Sequence, residues 1–320
     1  MTQALNSPQA LLHGVAPLSA PGVIRARGDD AASFLHGQLT QDVVLLPDGQ
    51  ARLAGYCSAK GRLLASFVLL RLSAAEVWLV CPKELLAATL KRLSMFVLRA
   101  KVKLDDASAE LAVRGLAGEP ALAALPAGSL PWSAAPHAAG YAVALYPAAG
   151  VARALWIGPA SDAAWPGPAL SESLWAWSEV LAAVPTPGAT QTDSFVPQML
   201  NHESVGGVSF KKGCYPGQEV VARSQFRGTL KRRTCLAHAE GLEGLAQAPS
   251  PGQEVFLAGD AADQPSGVVV QAAVSPTGGV DLLAVVQVTA SAAGTALHLG
   301  APDGPALMVQ PLPYPLLADI

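Results

Sequence analysis

The sequence is poor in charged residues, aromatic residues and cysteine. Only 14% of its 320 residues are charged and 6% are aromatic, whereas 51% are hydrophobic and the net charge is −3. Disorder of the whole chain is excluded, because disordered chains combine low hydrophobicity with high net charge. No apolar run reaches the roughly 18 residues that cross a bilayer. Residues 1–19 hold neither Lys nor Arg, so no signal or transit peptide is expected. We therefore expect a globular protein in the cytoplasm, away from membranes.

Only four cysteines occur, Cys57, Cys81, Cys214 and Cys235. None forms the close pairs that a structural zinc or iron–sulfur site requires, so all four are expected to be free thiols and no metal site is predicted. Cys81 lies in an apolar run and Cys235 opens a predicted strand, which indicates core positions for both.

The residues that are present predict a mixed α+β chain. Helices are expected at 31–37 after Asp29-Asp30, after Pro82, and from Ser171 to Pro185, where Ser171 is a good N-cap. The Ala-, Gly- and Pro-rich stretch 115–168 contains two predicted strands, at 141–146 and 152–157.

Beyond Arg233 the sequence changes to short β-rich runs divided by turn clusters. This rhythm is typical of a small antiparallel barrel. We therefore predict one domain over residues 1–232, which could comprise two interleaved α+β modules, and a barrel domain over 233–320. The predicted strands lie at 234–238, 254–257, 267–274, 282–289, 297–299 and 307–309.

Positive charge is concentrated in two segments. The first, 211–233, has one acid, Glu219, and the second, 91–103, has none, so an anionic ligand is expected there. The candidates are a small molecule with a carboxylate tail, the phosphates of a nucleic acid and an acidic partner face; a solvated surface without a ligand is the alternative. Nucleic acid is the least favoured, because few aromatic residues are interleaved. The basic residues are Lys91, Arg92, Arg99, Lys101, Lys103, Lys211, Lys212, Arg223, Arg227, Lys231, Arg232 and Arg233.

A cysteine loop, defined as residues 211–219, begins with Lys211 and Lys212 and contains Cys214. Pro216-Gly217 predicts a type II turn, which would place Cys214 at or just before a helix N-terminus. The helix dipole and the two lysines favour ionisation of this thiol, which could then act as a nucleophile, a redox-sensitive thiol or a transient metal or cluster ligand. A small buried residue in a tight turn is the alternative. Glu219, Arg223 and Arg227 are spaced to share one helix face, which suits binding of carboxylates.

The segment 206–228 closely resembles the K-G-C-Y-x-G-Q-E signature of the YgfZ family, folate-binding proteins related to the glycine-cleavage T-protein. Three further segments, 28–43, 57–62 and 195–201, support the resemblance, which extends from about residue 22 to 233. The resemblance implies an α+β, ring-shaped, multi-module body with a central folate pocket, followed by a C-terminal antiparallel β-barrel.

The resemblance also implies a folate site. The family tryptophan that opens a helix ending in A-G-I-P corresponds to Trp175, although the ending here is Ala182-Ala183-Val184-Pro185, without the glycine. Cys214 is the predicted reactive residue, and tetrahydrofolate or a one-carbon derivative is the predicted cofactor. The predicted cofactor-binding residues are Trp175, Lys212, Tyr215, Gln218, Glu219, Arg223 and Arg227.

One difference separates this chain from the aminomethyl transferases of the superfamily. Those enzymes carry a catalytic aspartate in a G-G-I-x-D-D run, whereas the matching stretch here, 61–66, contains no acid. We therefore expect a tetrahydrofolate-binding accessory protein for iron–sulfur enzymes, including those that modify tRNA, with cluster proteins as clients. The alternatives are a folate-dependent one-carbon transferase and a non-catalytic scaffold that docks onto cluster-assembly proteins.

Overall fold

The structure is a computed structural model that describes residues 7–161, 165, 167–228, 230–240, 248–258 and 264–317. Its strands pair antiparallel in three sheets. In chain order they are β1 (Gly14–Pro17), β2 (Pro21–Arg27), β3 (Gln50–Cys57), β4 (Leu63–Ser73), β5 (Glu76–Pro82), β6 (Lys103–Asp106), β7 (Leu111–Ala117), β8 (Ala134–His137), β9 (Gly140–Ala148), β10 (Val151–Pro159), β11 (Arg232–Ala239), β12 (Glu254–Leu257), β13 (Gly267–Val274), β14 (Val280–Gln287), β15 (Ala296–Leu299) and β16 (Ala306–Gln310).

Two five-stranded sheets form the body. One has the strand order β3-β4-β5-β2-β6 and the other β1-β7-β10-β9-β8. The third sheet is a closed barrel in the order β11-β14-β13-β12-β15-β16. The predicted α+β class with a C-terminal antiparallel barrel is confirmed. The division into domains at residue 232 stays a prediction, although the first barrel strand begins there.

The barrel strands lie within two residues of their predicted positions, because each alternates inward apolar residues with turn-rich ends. β12 and β13 begin and end at the predicted residues, whereas β14 begins and ends two residues earlier. The two strands predicted in the Ala-rich stretch, at 141–146 and 152–157, are the cores of β9 and β10.

The helices are Pro8–Leu11, Ala31–His36, Lys83–Ser94, Glu119–Ala123, Glu172–Leu181 and Gln218–Phe226. Ser171 caps Glu172–Leu181 as predicted, because its hydroxyl accepts a hydrogen bond from the Leu174 backbone N–H. Asp30 precedes Ala31–His36 but does not cap it: its carboxylate accepts from the Lys101 N–H at 2.7 Å instead. Within the described ranges, no helix is both long and apolar enough to span a bilayer.

The helix Glu172–Leu181, called here the cavity helix, lies between the body and the barrel. Trp177 projects toward the barrel, where its indole N–H donates to Asp281 Oδ2 at 2.7 Å. The other oxygen of Asp281 lies 2.8 Å from His238 Nδ1, so both carboxylate oxygens are engaged. Trp175 projects toward a cavity at the centre of the molecule. The helix therefore connects that cavity to the barrel.

Candidate functional site

The four sequence segments that carry the resemblance meet in space. The Thr40 hydroxyl donates to Gly207 O at 2.7 Å and accepts from the Gly55 N–H, and the Ser209 N–H donates to Thr40 O. Gln198, from the segment 195–201, donates to Val221 O at 2.8 Å in the helix Gln218–Phe226. Segments far apart in sequence thus build one support under the cysteine loop.

Lys212 fastens the cysteine loop to the body. Its ammonium group donates to the backbone carbonyls of His36 and Leu39, the latter at 2.8 Å, and lies 4.7 Å from the ring centroid of Tyr215. The carbonyls follow the helix Ala31–His36, where a cation is favourable. Burial lowers the pKa of Lys212 to about 8, with Asp42 and Cys214 acting in the opposite direction. Lys212 therefore holds the loop through two backbone carbonyls and a ring, contacts that could not be predicted from the sequence.

The predicted turn is present at Tyr215–Gln218. The Gln218 N–H donates to Tyr215 O at 3.2 Å, and Gly217 has φ +78°, as the third residue of a type II turn requires. A Cβ at Gly217 would overlap the backbone oxygen of Ser58, so glycine also allows the loop 57–62 to approach closely.

Cys214 is exposed at the start of this turn. The interpretation as a small buried residue is therefore wrong. Three residues separate Cys214 from Gln218, the first residue of the helix. His36 is a neighbour of the loop, and its Nδ1 lies 3.2 Å from Asp42 Oδ1. The other three cysteines are buried, as predicted for Cys81 and Cys235.

The single basic residue of the helix Gln218–Phe226, Arg223, is exposed. Arg223 and Glu219 form an exposed ion pair at 3.0 Å, and such pairs contribute little to stability. Arg227 is also exposed and is the C-cap residue of this helix, its backbone N–H donating to Arg223 O, and the shared helix face stays a prediction. The predicted role of these residues in binding folate stays a prediction. The described residues contain no cluster of His, Cys, Asp or Glu arranged to hold a metal ion.

A cavity of about 400 Å³ lies between both body sheets, the cavity helix and barrel strand β13. This volume is within the range of small-molecule sites. Phe67, Trp132, Tyr146 and Trp175 supply aromatic wall, and Ser66 also lines it. Gly115 makes room for Trp175, because a Cβ there would overlap the indole ring. The cavity therefore combines aromatic side chains from the body with residues of the cavity helix.

Arg153, on β10, is the polar centre of the cavity wall. It is 5% exposed, and its guanidinium carbon lies 4.4 Å from the ring centroid of Trp175. Its Nη1 donates to Tyr146 O at 3.4 Å, but Nε and Nη2 have no hydrogen-bond partner. Burial lowers the pKa of Arg153 to about 10, with Glu179 partly opposing the shift. Unpaired buried donors of this kind are costly and indicate room for a ligand acceptor.

Glu179 lines the same cavity, four residues after Trp175 on the same face of the cavity helix. Burial raises the pKa of its carboxyl group, and Arg153 and Trp175 lower it by less. The indole Nε1 of Trp175 is near enough to affect this carboxyl group but makes no hydrogen bond of normal geometry.

Of the predicted site residues, Trp175 alone lines the cavity. Cys214, Lys212, Tyr215, Gln218, Glu219, Arg223 and Arg227 belong to the cysteine loop and its helix, outside the cavity wall. The structure therefore separates the predicted site into a cavity and a thiol-bearing surface. Arg153 and Glu179 were not predicted from the sequence. The available signal was one charged residue within each of two otherwise apolar elements, V-A-R-A-L-W-I and L-W-A-W-S-E-V-L.

The fold has a counterpart among solved structures. Aminomethyltransferase T of the glycine cleavage system from Bartonella henselae superposes with a TM-score of 0.66 over 94% of this chain and 86% of that one, at 18% identity. At that identity the likeness concerns the fold alone, and it confirms the predicted T-protein-like architecture.

Sequence comparison defines the family more closely. No protein-family model matches the chain. The "tRNA-modifying protein YgfZ" of Edwardsiella ictaluri is 34% identical over 303 residues, which cover 91% of this chain and 89% of that protein. The protein of the same name from Cronobacter sakazakii is 30% identical over 311 residues, covering 90% and 89%, and that from Vibrio vulnificus (strain YJ016) is 35% identical over 237 residues, covering 72% and 71%. With this identity over most of both chains, and with the T-protein-like fold, the chain belongs to the YgfZ family.

Proposed function

We propose that this chain binds tetrahydrofolate in the central cavity and acts as an accessory protein in iron–sulfur cluster assembly or repair. Its clients would include cluster-dependent enzymes that modify tRNA, in keeping with the name of its relatives. The observation that carries the folate half is the cavity of about 400 Å³ in which the indole of Trp175, a Tyr and a buried arginine with free donors meet. Bound tetrahydrofolate would supply a one-carbon carrier or a reducing pterin.

The cavity wall supports accessory function over aminomethyl transfer. Ser66 stands in the stretch where the transferases of the superfamily carry their catalytic aspartate, and it lines the cavity. A hydroxyl group cannot replace the carboxylate that positions and exchanges a proton in that reaction. A one-carbon transferase of this superfamily would need a carboxylate in this part of the cavity wall, and this chain has a serine there. The transferase alternative is therefore less favoured.

The position of Cys214 suits chemistry on a partner. The thiol is exposed on a loop that Lys212 attaches to the body, and Lys211, Arg223 and Arg227 of the same basic segment are exposed as well. An acidic client surface would be attracted to this face. In this proposal the thiol acts on the client as a nucleophile, a redox thiol or a transient cluster ligand, and the ring of the folate stays in the cavity.

A binding titration tests the folate half. Tetrahydrofolate is titrated into the full chain under reducing conditions, and the heat or the change in tryptophan fluorescence is measured. Trp175→Ala should weaken binding about 5- to 30-fold, because loss of an aromatic platform costs on the order of 1–2 kcal/mol. Trp165→Ala is the matched control, since Trp165 packs on Trp156 and lies outside the cavity wall. Absence of binding to the unmodified chain would leave only the docking-scaffold alternative.

A complementation experiment tests the client half. In a bacterial strain that lacks its own YgfZ protein, a tRNA modification made by an iron–sulfur enzyme is quantified after expression of this chain. Cys214→Ser should lose the restored modification while its tetrahydrofolate affinity stays within about twofold, because the thiol lies outside the cavity wall. Full restoration by Cys214→Ser would remove the thiol from the mechanism.

A further inference from the structure

The two basic segments of the sequence are attached to opposite ends of one short helix, Ala31–His36. At its start, the Lys101 N–H donates to Asp30 Oδ2 at 2.7 Å, and the Asp30 N–H donates to Lys101 O at 3.2 Å. At its end, the ammonium group of Lys212 donates to His36 O. Six residues of α-helix advance about 9 Å, so the two segments lie side by side on the surface of the body.

The first of these segments exposes an apolar loop, defined as residues 95–100, directly after the helix Lys83–Ser94. The side chains of Met95, Phe96 and Leu98 are exposed, with 68%, 45% and 85% of their surface accessible. Val97 packs against the core beneath them, and the N–H groups of Met95, Phe96 and Val97 donate to carbonyls of the preceding helix. Three large apolar side chains within four residues of a hydrogen-bonded loop indicate a contact site for another molecule.

The apolar loop lies among cations that lack acidic partners. Lys91, Arg92 and Arg99 are exposed and form no ion pair with any residue in the described ranges. Lys101 is paired with Asp29 at 3.7 Å, an exposed contact of little energetic weight. Exposed apolar side chains surrounded by unpaired positive charge are complementary to an apolar area that acidic residues surround.

We propose that the apolar loop and the cysteine loop form one docking surface for an acidic protein client. Met95, Phe96 and Leu98 contact an apolar area of the client, and Arg99 pairs with carboxylates at the edge of that area. The inference rests on the proposed function, to which it adds a division of roles. The apolar loop supplies affinity, and Cys214 on the neighbouring loop meets the client that is held there.

A protein suits this surface better than an RNA or a membrane does. RNA is bound through its phosphates and through bases that stack on aromatic rings, and Met95 and Leu98 carry no ring. Met, Phe and Arg are all enriched at protein interfaces. An anionic bilayer would attract the same cations, but it holds no group on which the thiol of Cys214 would act. A protein client is therefore the occupant that accounts for both loops.

Binding to a purified client tests the docking surface. The probe is the iron–sulfur enzyme whose tRNA product is quantified in the complementation experiment, purified anaerobically with its cluster and immobilised on a biosensor. Leu98→Glu should weaken binding of the full chain at least tenfold, because it removes an apolar contact and adds a charge that acidic residues repel. Arg99→Glu should weaken binding to a similar degree, and more strongly at low salt than at high salt.

Two matched controls carry the same changes elsewhere on the surface. Leu122 is 66% exposed on the helix Glu119–Ala123, which packs on the other body sheet. Lys83 is exposed at the opposite end of the helix Lys83–Ser94, roughly 16 Å from Ser94 along the axis. Leu122→Glu and Lys83→Glu should each change the affinity for the enzyme by less than about twofold.

Three results would overturn the docking surface. The first is no binding of the wild-type chain to the enzyme, and the second is equal affinity of wild type, Leu98→Glu and Arg99→Glu. The third is tighter binding of the wild-type chain to an unmodified tRNA transcript, or to vesicles of phosphatidylglycerol and phosphatidylcholine, with the same two variants weakened. That result would assign the surface to RNA or to lipid. Met95→Glu, also at an exposed position, repeats each measurement if Leu98→Glu does not fold.

The expression level of the chain separates this inference from the proposed function. In the complementation strain, Leu98→Glu should restore little tRNA modification at low expression and recover it when expression rises about tenfold, because concentration offsets weaker affinity. Cys214→Ser should stay inactive at both levels. Full restoration by Leu98→Glu at low expression, or a loss that high expression does not recover, would overturn the docking surface and leave the proposed function standing. If the wild-type chain restores nothing, the client half of the proposed function falls and this inference falls with it.

Discussion

Lys212→Met is the most direct test of how the cysteine loop is held. Methionine keeps an unbranched apolar side chain but removes the ammonium group that donates to the carbonyls of His36 and Leu39. Those carbonyls are enclosed by protein around Lys212 and would lose a charged donor. The change should therefore loosen the attachment of the loop without creating a large cavity.

The magnitude follows from two opposing effects. Two hydrogen bonds from a charged donor contribute about 1.5–3 kcal/mol each. Burial of the ammonium group, which lowers the pKa of Lys212 from 10.5 to about 8, offsets part of this gain. We expect a net loss of about 1–3 kcal/mol in the free energy of unfolding, measured by urea denaturation at neutral pH.

Lys211→Met is the matched control, since Lys211 is exposed and adjacent. It should change the free energy of unfolding by less than about 0.5 kcal/mol. Hydrogen exchange gives a local readout, because the Ser209 and Gly207 amides donate to Thr40 O and His202 O in the same support. Lys212→Met should speed exchange at these amides selectively. Equal stability and equal exchange in the two variants would refute the assigned role of Lys212.

Two further predictions concern stability. Gly217→Ala should lower the free energy of unfolding by about 2 kcal/mol or more in urea denaturation, because its Cβ would overlap Ser58 O. Gly128→Ala is the control: its φ is nearly the same, +76°, but nothing lies within 4 Å of its Cβ, so it should cost about 1 kcal/mol. Equal losses in the two variants would contradict the close approach at Gly217. His202 is buried, which lowers its pKa from 6.5 to about 4, so the unfolded chain binds a proton in that interval that the folded chain does not. The contribution of His202 to the free energy of unfolding should therefore be complete above pH 6.5 and should fall by up to about 3 kcal/mol as the pH drops toward 4. His202→Gln should flatten this part of the pH profile of unfolding. An unchanged slope would contradict the assignment.

The fold was largely predictable from local patterns. Barrel strands such as β12 and β13 are predicted by short apolar runs between turn residues. The start of the cavity helix is predicted by the N-cap Ser171. The helix Lys83–Ser94 was also predicted, and it begins directly after Pro82.

The composition of the cavity was less predictable. Trp175 was identified only through the family resemblance. The cation that packs on its ring, Arg153, lies on strand β10 of a body sheet, whereas Trp175 lies on the cavity helix. No local sequence pattern relates Arg153 to Glu179. Both line the same cavity only because the body sheets, the cavity helix and the barrel pack together around it. In the basic segment 211–233 the sequence does not distinguish buried from exposed cations. Lys212 donates to two backbone carbonyls inside the protein, whereas Arg223 and Arg227 are exposed.

The distribution of cysteines offers an experimental handle on this protein. Cys57, Cys81 and Cys235 are enclosed by protein, and burial raises the pKa of each thiol to about 12, so they stay protonated and shielded near neutral pH. A maleimide dye should therefore attach at one position without any engineered substitution. Because Cys214 lies outside the cavity wall, the dye would leave the cavity unobstructed while it reports on contacts made at the cysteine loop.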